Sequence, residues 1–455
     1  MLDRIKSALS GKNGYVEVRI QRKVTNRISY RRGEVDKLVA TTDIGGFVRA
    51  LADGGGWGTV TFNSLDKIEK SVDDAIAASK AINPPEPIKL AKTEPVQDTV
   101  KTEIKDDPRD HSIAEKVEMV KKYNEIVIGH DERIIDARTI YGDSYSDIWY
   151  GNTDGTFIES DRLDVLLIGD AVAKEGSNVQ KGHKSFTSRD DFSFITGREK
   201  DMNKLAKLAI DLLSAAPVKG GKYDVVLDPN LAGVFIHEAF GHLSEADHIV
   251  ENPQAREMMT LGRKFGPEIL NVYDEGPVMP VTRGTIQYDD EGVPAQKTAL
   301  IEKGVLVGRL HDRETAGKMG EKPTGNCRAQ DYNHPPIVRM TNTYIDGGDT
   351  SFDDMIKDIK LGIYAIDAYG GQTMMENFSF SAGHAYMIRD GKLAEMVKDV
   401  VLQGNVFQTL ANVTAIGDDF RFLTGGGTCG KGGQMLPVNM GSPHIRIKDV
   451  MIGGK

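Results

Sequence analysis

Apolar and polar residues alternate through residues 15–62 in short runs broken by glycine, as in Tyr15-Val16-Glu17-Val18-Arg19-Ile20 and Gly58-Thr59-Val60-Thr61-Phe62. That period predicts strands with one exposed face. The period then lengthens: Ile68, Val72, Ile76 and Ala77 recur at helical spacing behind a cap at Asn63 or Ser64, and the breaker Asn83-Pro84-Pro85-Glu86-Pro87 ends the helix. Residues 83–111 read as a charged connector. A second helix over Ser112–Ile128 leads to strands at 134–150 and 156–169, for which Asp154-Gly155 predicts a type I′ hairpin turn. More β-like sequence follows, and a helix at about Arg198–Ala215 closes this half. Strands followed by one helix thus occur twice, which suggests a structural duplication on element order alone.

Breaker composition over Ala215-Ala216-Pro217-Val218-Lys219-Gly220-Gly221-Lys222 precedes a fresh apolar strand, Tyr223–Asp228. A domain boundary is expected there, with an N-terminal α+β domain over 1–218 and a β-rich catalytic domain over 219–455. Beyond the boundary, short β segments carry hairpin signals at Lys303-Gly304 and Asp390-Gly391. The expected class is therefore α+β: an N-terminal α/β domain with duplicated strands-then-helix units, then a β-rich domain. The length of 455 residues agrees, since it exceeds what one ordinary core holds.

Charge narrows the partners. Against 57 Lys and Arg stand 67 Asp and Glu, a net −10 with no basic block, so a nucleic-acid surface is not expected. No apolar run approaches a membrane span, and the first residues lack the apolar core of a signal peptide. Cys327 and Cys429 are the only cysteines, which is no disulfide framework and fits a reducing compartment. A cytoplasmic protein that does not enter membranes is expected.

The candidate chemistry lies in His237-Glu238-Ala239-Phe240-Gly241-His242. A His-Glu-x-x-His helix places two imidazoles on one face at i, i+4, with the glutamate beside a metal-activated water. Here the spacing is one residue longer, and on an ideal helix the two rings would diverge by about 140°. Both can reach one ion only if the helix widens into a π-type bulge or breaks, which Gly241 would ease. The plain alternative is a core helix that happens to hold two histidines, since Val234, Phe235, Ile236 and Phe240 are apolar. Glu238 weighs against it, because a carboxylate among imidazoles in an apolar helix needs compensation that a metal would supply.

A zinc site needs at least a third ligand. Glu245, Asp247 and His248 are near in sequence, while Cys327, Cys429 and His444 are distant candidates. Cys429 sits in the glycine-rich run Thr424-Gly425-Gly426-Gly427-Thr428-Cys429-Gly430-Lys431-Gly432-Gly433. Gly425–Lys431 has the spacing of a phosphate-binding P-loop, but Gly432 stands where Ser or Thr would hold magnesium and no helix follows, so nucleotide binding is not expected.

With the His-Glu segment and Thr428-Cys429-Gly430-Lys431-Gly432-Gly433-Gln434 in place, the chain resembles the TldD/PmbA metallopeptidase family, in its TldD-type catalytic subunit. Further matching stretches are Tyr288-Asp289-Asp290-Glu291-Gly292, Pro323-Thr324-Gly325-Asn326-x-Arg328-Ala329 and Pro336-x-Val338-Arg339-Met340-Thr341-Asn342-Thr343. The resemblance spans nearly the full length. It implies one zinc ion held by His237, His242 and Cys429, with Glu238 as general base in hydrolysis of short or unfolded peptides, including precursors under maturation. It also implies a dimer, with an identical chain or with a PmbA-type sister subunit that lacks the His-Glu motif. Arg328, Tyr332, His334 and Arg339 are candidates to orient the peptide substrate, and Cys327 reads as a buried bystander thiol.

Two other functions compete with the peptidase. One is a non-catalytic peptide-binding or assembly subunit, against which Glu238 speaks, because a structural zinc site needs no general base. The other is a cysteine hydrolase with Cys429 as nucleophile.

Overall fold

The opening alternation folds as two unusually long strands. In the computed structural model, which describes residues 1–374 and 376–453, α1 (Leu2–Leu9) precedes β1 (Tyr15–Arg31) and β2 (Glu34–Leu51). The two strands turn at Arg32-Gly33, where both residues have positive φ (51° and 83°), the condition for a type I′ turn. β3 (Trp57–Phe62) and α2 (Ile68–Ala81) complete the first round. Ile68 and Val72 on α2 are fully buried, each such side chain contributing about 1.5–3 kcal/mol.

After β4 (Gln97–Val100), a second round repeats the order: α3 (Ile113–Ile128), β5 (Ile134–Asn152), β6 (Phe157–Glu175), β7 (Asn178–Ser188) and α4 (Glu199–Ser214). Ser112 starts α3 through a reciprocal capping box with Glu115. The expected strands-then-helix unit therefore occurs twice, each time with a further helix ahead of it. β1 pairs antiparallel with β5, so both rounds share one sheet in the order β3-β2-β1-β5-β6, with β4 and β7 both on the outer edge of β6.

Three details depart from expectation. The connector is not wholly irregular, because Gln97–Val100 pairs in parallel with Phe157–Ser160; its charged sequence has no alternation to reveal a strand recruited by a backbone edge. At the β5–β6 turn only Gly155 has positive φ (99°), whereas type I′ needs both central residues there. Its N–H donates to Asn152 O (3.3 Å), and the Asn152 side chain accepts from Thr156 N–H (3.0 Å), so a longer loop held by that asparagine replaces the two-residue turn. Lys303-Gly304 and Asp390-Gly391, by contrast, have positive φ at both positions.

The third departure concerns the polar face of the first sheet, expected to be exposed. Even-numbered β1 residues such as Val16, Val18 and Ile20 pack beneath the helices, while Glu17, Arg19 and Gln21 on the opposite face are also buried. That face meets the second half of the chain. Arg49 bridges Glu17 (2.8 Å) and Glu291 (2.6 Å), Arg19 pairs with Asp290 (3.0 Å), and Tyr332 donates to Asp43 (2.9 Å). Polar residues can line a buried face when every charge has a partner, which is why alternation alone misread its exposure.

In the second half, β8 (Ala216–Pro217) and β9 (Gly221–Leu227) enter a mixed sheet that also contains Leu361–Met374, Asn377–Arg389 and Ile445–Gly453. A second sheet contains Asn342–Ile345 and Gln434–Ser442. Between them lies the helix α5 (Pro229–Ile236), in contact with Leu361–Met374 on one side and Gln434–Ser442 on the other. Phe235 inserts edge-on against Phe378 and Phe380, with ring centroids 5.4 and 6.0 Å away, which fixes the helix in this core. No described helix is long and apolar enough to cross a membrane.

Candidate active site

Local sequence starts and then deforms the helix that carries the motif. Asp228 caps α5 by accepting from Leu231 N–H (2.9 Å), and Pro229 occupies the first helical position, where a missing N–H costs nothing. The α-helix stops at Ile236. His237–Gly241 then form a π turn, followed by a 3₁₀ turn over His242–Ser244. The local widening that the five-residue spacing demands is therefore present. It leaves the two imidazoles 5.3 Å apart between centroids and steeply inclined at 79°. Gly241 is required for a separate reason as well, since a Cβ there would lie 2.1 Å from Met340 Sδ.

Cys429 reaches the two rings from far along the chain. The glycine-rich run around it is an ordered hairpin: Gly427–Lys431 pairs with Gln434–Ser442, and Gly432 and Gly433 turn it with positive φ (58° and 74°). Cys429 lies on a strand, opposite Leu436, which also removes any P-loop geometry. Its Sγ stands 3.2 Å from His242 Nε2, and ligand atoms of His237, His242 and Cys429 all fall within 4.8 Å of one another. Among the described residues this is the one His/Cys/Asp/Glu group so arranged.

The donor set fits a zinc ion on chemical grounds. Two imidazoles and a thiolate are zinc's preferred ligands, and three from the protein leave a position open. His237 is fully buried, and neither of its ring nitrogens has a hydrogen-bond partner, an omission that a bound cation would repair. Burial raises the Cys429 thiol, but the adjoining His237 and His242 rings outweigh it and pull its pKa down to about 5, favouring the thiolate. Glu238 is partly exposed beside them, its Oε2 3.9 Å from His242 Nε2.

Glu245, a candidate ligand by sequence, occupies a different position. It is fully buried and accepts from His242 Nδ1 (2.9 Å), the nitrogen on the far side of the ring from Cys429. Lys431 Nζ lies 3.0 Å from the same Oε2 and 2.7 Å from Asp247, and it donates to Val338 O (2.9 Å). A carboxylate behind a ligand histidine fixes its tautomer and aim. Neither Glu245 nor Lys431 could be given these roles by spacing, because the ion pair joins segments far apart in the chain.

The residues expected to orient substrate are dispersed. Arg328, 1 % exposed, donates to Met340 O and Pro437 O, and fully buried Arg339 donates to Cys429 O (2.6 Å) and Gln434 O (3.3 Å). Both hold the backbone of the Cys429 hairpin, so their donors are turned to carbonyls rather than to open space. Tyr332 joins the first sheet through Asp43, and the half-buried His334 pairs with Asp331 (2.8 Å). Cys327 is fully buried, its thiol pushed well up by burial and then by Glu291. His444 is engaged with Asp419 (2.6 Å) and Tyr364 (2.9 Å).

Comparison with known proteins agrees along the whole chain. Residues 16–81, 106–216 and 220–454 match the family models described as PmbA/TldA metallopeptidase domain 1, central domain and C-terminal domain. A metalloprotease of Synechocystis sp. is 45 % identical over 442 residues, covering 97 % of this chain and 95 % of its own. A protein of Saccharolobus solfataricus named as a zinc metalloprotease TldD homolog is 28 % identical over the full length of both. Among solved structures, TldE from Thermococcus kodakarensis superposes with a TM-score of 0.76 at 20 % identity over 99 % of this chain and 98 % of that one, a likeness of fold.

Proposed function

The chain belongs to the PmbA/TldD metallopeptidase family, and on that premise we propose that it is a zinc-dependent peptidase of short or unfolded peptides with Glu238 as its general base. The supporting observation is the convergence of His237, His242 and Cys429 at ligand distance, with Glu238 alongside. His237, His242 and Cys429 would hold the ion; Glu238, Arg328, Tyr332, His334 and Arg339 would not. When bound there, zinc supplies a Lewis acid that polarises the scissile carbonyl and acidifies water.

This chain's own residues perform the rest. Glu238 takes a proton on its carboxylate as water oxygen bonds to the carbonyl carbon, then gives that proton to the amine nitrogen as the C–N bond breaks. Glu245 keeps the His242 ring aimed, and the Arg339 hydrogen bond to Cys429 O fixes the strand that bears the thiolate. We infer further that the chain divides near residue 218, works in the cytoplasm, and pairs with an identical chain or a sister subunit without the His-Glu motif.

Chelation is expected to abolish cleavage of an unfolded peptide, and added zinc to restore it. Cleavage that survives thorough metal removal would overturn the reading. Glu238→Gln is expected to retain zinc while turnover falls by about 10²–10⁴-fold. A zinc-loaded wild-type chain that binds peptide but never cleaves it, alone or paired, would favour the peptide-binding alternative.

A further inference from the structure

We propose that the seam between β6, the residues just after β7 and the segment 279–288 is a binding site for an oxyanion, a phosphate or a carboxylate, gripped by Arg162 and Arg189. A cavity of about 350 Å³ opens there, with Lys101, Lys105, Arg162, Arg189 and Thr285 among its walls. It is separate from the metal-ligand group, none of whose members lines it.

Arg189 carries the inference. It is only 5 % exposed, yet of its three guanidinium nitrogens Nη1 alone is satisfied, donating to Thr285 O. Nε and Nη2 make no hydrogen bond, and Asp164 Oδ1, 3.5 Å from Nε, is at ion-pair distance but does not accept a hydrogen bond. Among the described residues Asp164 is the one acid at ion-pair distance from this buried cation, and neighbouring cations add to the charge it would have to offset. Burial pushes the Arg189 guanidinium well below its ordinary value, Arg162, Arg328 and Arg283 press the same way, and Asp164 opposes them incompletely.

The acids at the cavity do not resolve this. Asp161 is committed to Thr102 N–H (2.6 Å) and to the Tyr145 hydroxyl (2.9 Å). Glu103 and Asp190 line the cavity as well, the latter with its pKa raised by burial and then by Asp191, and among the described residues neither is at ion-pair distance from Arg189. An anion would instead meet Arg189 Nη2, which makes no hydrogen bond, and its further oxygens would offset the charge of Arg162. Arg283 extends the arginine group toward the metal centre: its Nη1 donates to Gly427 O (3.0 Å) and Thr428 Oγ1 (2.8 Å), and its buried Nε is likewise without a partner.

The test is thermal unfolding of the full-length protein titrated with inorganic phosphate at constant ionic strength, and with one short peptide in free-acid and amidated forms. A saturable rise of a few degrees in Tm is expected from phosphate, from the free-acid peptide, or from both. In Arg162→Gln and Arg189→Met the half-saturating concentration should rise at least tenfold. Arg189→Met also removes the Asp164 ion pair and the hydrogen bond to Thr285 O, so each variant is read against its own anion-free Tm; should it fail to fold, Arg162→Gln carries the comparison. Response to phosphate alone assigns the site to a small ion, and response to the free-acid but not the amidated peptide assigns it to a chain terminus. No saturable response to either, or a response undiminished in both variants, overturns the proposal. These readouts need neither zinc nor cleavage, so they stand or fall apart from the peptidase reading.

Discussion

Glu245 Oε2 lies 2.9 Å from His242 Nδ1 and 3.0 Å from Lys431 Nζ, so one buried carboxylate ties a ring of the proposed metal centre to the strand that carries Cys429. Burial alone would raise this carboxyl, but Lys431 and then His242 overcome it and hold its pKa at about 2. Glu245→Gln keeps the shape and removes the charge. Zinc affinity, measured by competition with a chromophoric chelator, should fall about 10–100-fold; undiminished affinity would mean the ring is oriented by something else.

Gly241→Ala tests the π turn. The added Cβ would fall 2.1 Å from Met340 Sδ, so the turn or the methionine must move. A loss of about 1–3 kcal/mol in unfolding free energy is expected, together with weaker zinc binding. Met340→Ala in the same chain should recover part of the zinc affinity, because it empties the space that the methyl group needs.

Asp228, the cap of α5, makes stability depend on pH. Burial, and then Asp367, raise its pKa from 3.8 to about 6, against backbone hydrogen bonds that lower it. The folded state therefore keeps a proton that the unfolded chain has released between about pH 4 and 6. Stability from this group is present below that window and declines as pH rises through it, by up to about 3 kcal/mol at 1.36 kcal/mol per pKa unit. Asp228→Asn, which can still cap, should flatten that decline in urea unfolding followed from pH 4 to 7; an unchanged slope would assign it to other groups.

Arg339 and His334 separate a structural role from substrate contact. Arg339→Gln should lower Tm and weaken zinc binding, each charge-assisted hydrogen bond lost being worth about 1.5–3 kcal/mol. His334→Gln should leave both unchanged. A rise in KM with steady kcat in that second variant would mark His334 as a contact of the peptide.

Local signals in the chain foretold local structure. The apolar spacing of Ile68 and Val72 gives α2, the reciprocal Ser112 and Glu115 side chains start α3, and Lys303-Gly304 turns a hairpin. The five-residue separation of His237 and His242 likewise called for the widened turn that forms. What escaped depends on partners distant in sequence. Gln97–Val100 is a strand only because β6 offers an edge, and Arg49 and Arg19 are buried only because Glu291 and Asp290 arrive from the second half. Glu245 could not be told from a ligand until the ring nitrogen facing it was known. Resemblance supplied Cys429, for which spacing alone left several rivals.

The π turn also sets what kind of change the site can survive. It amounts to one extra residue lodged in a helix, so that the core-facing Phe235 and His242, which faces Cys429, follow different phases of the same backbone. Removing Ala239 would restore the shorter His-Glu-x-x-His spacing, but it would also swing everything after it by about 100° relative to what precedes. Phe240, whose ring sits 5.7 Å from Phe265, would then leave its socket. Segment length is thus a conserved quantity of this machine in the mechanical sense: a shortened motif needs a new seat for Phe240 as well as for the ion.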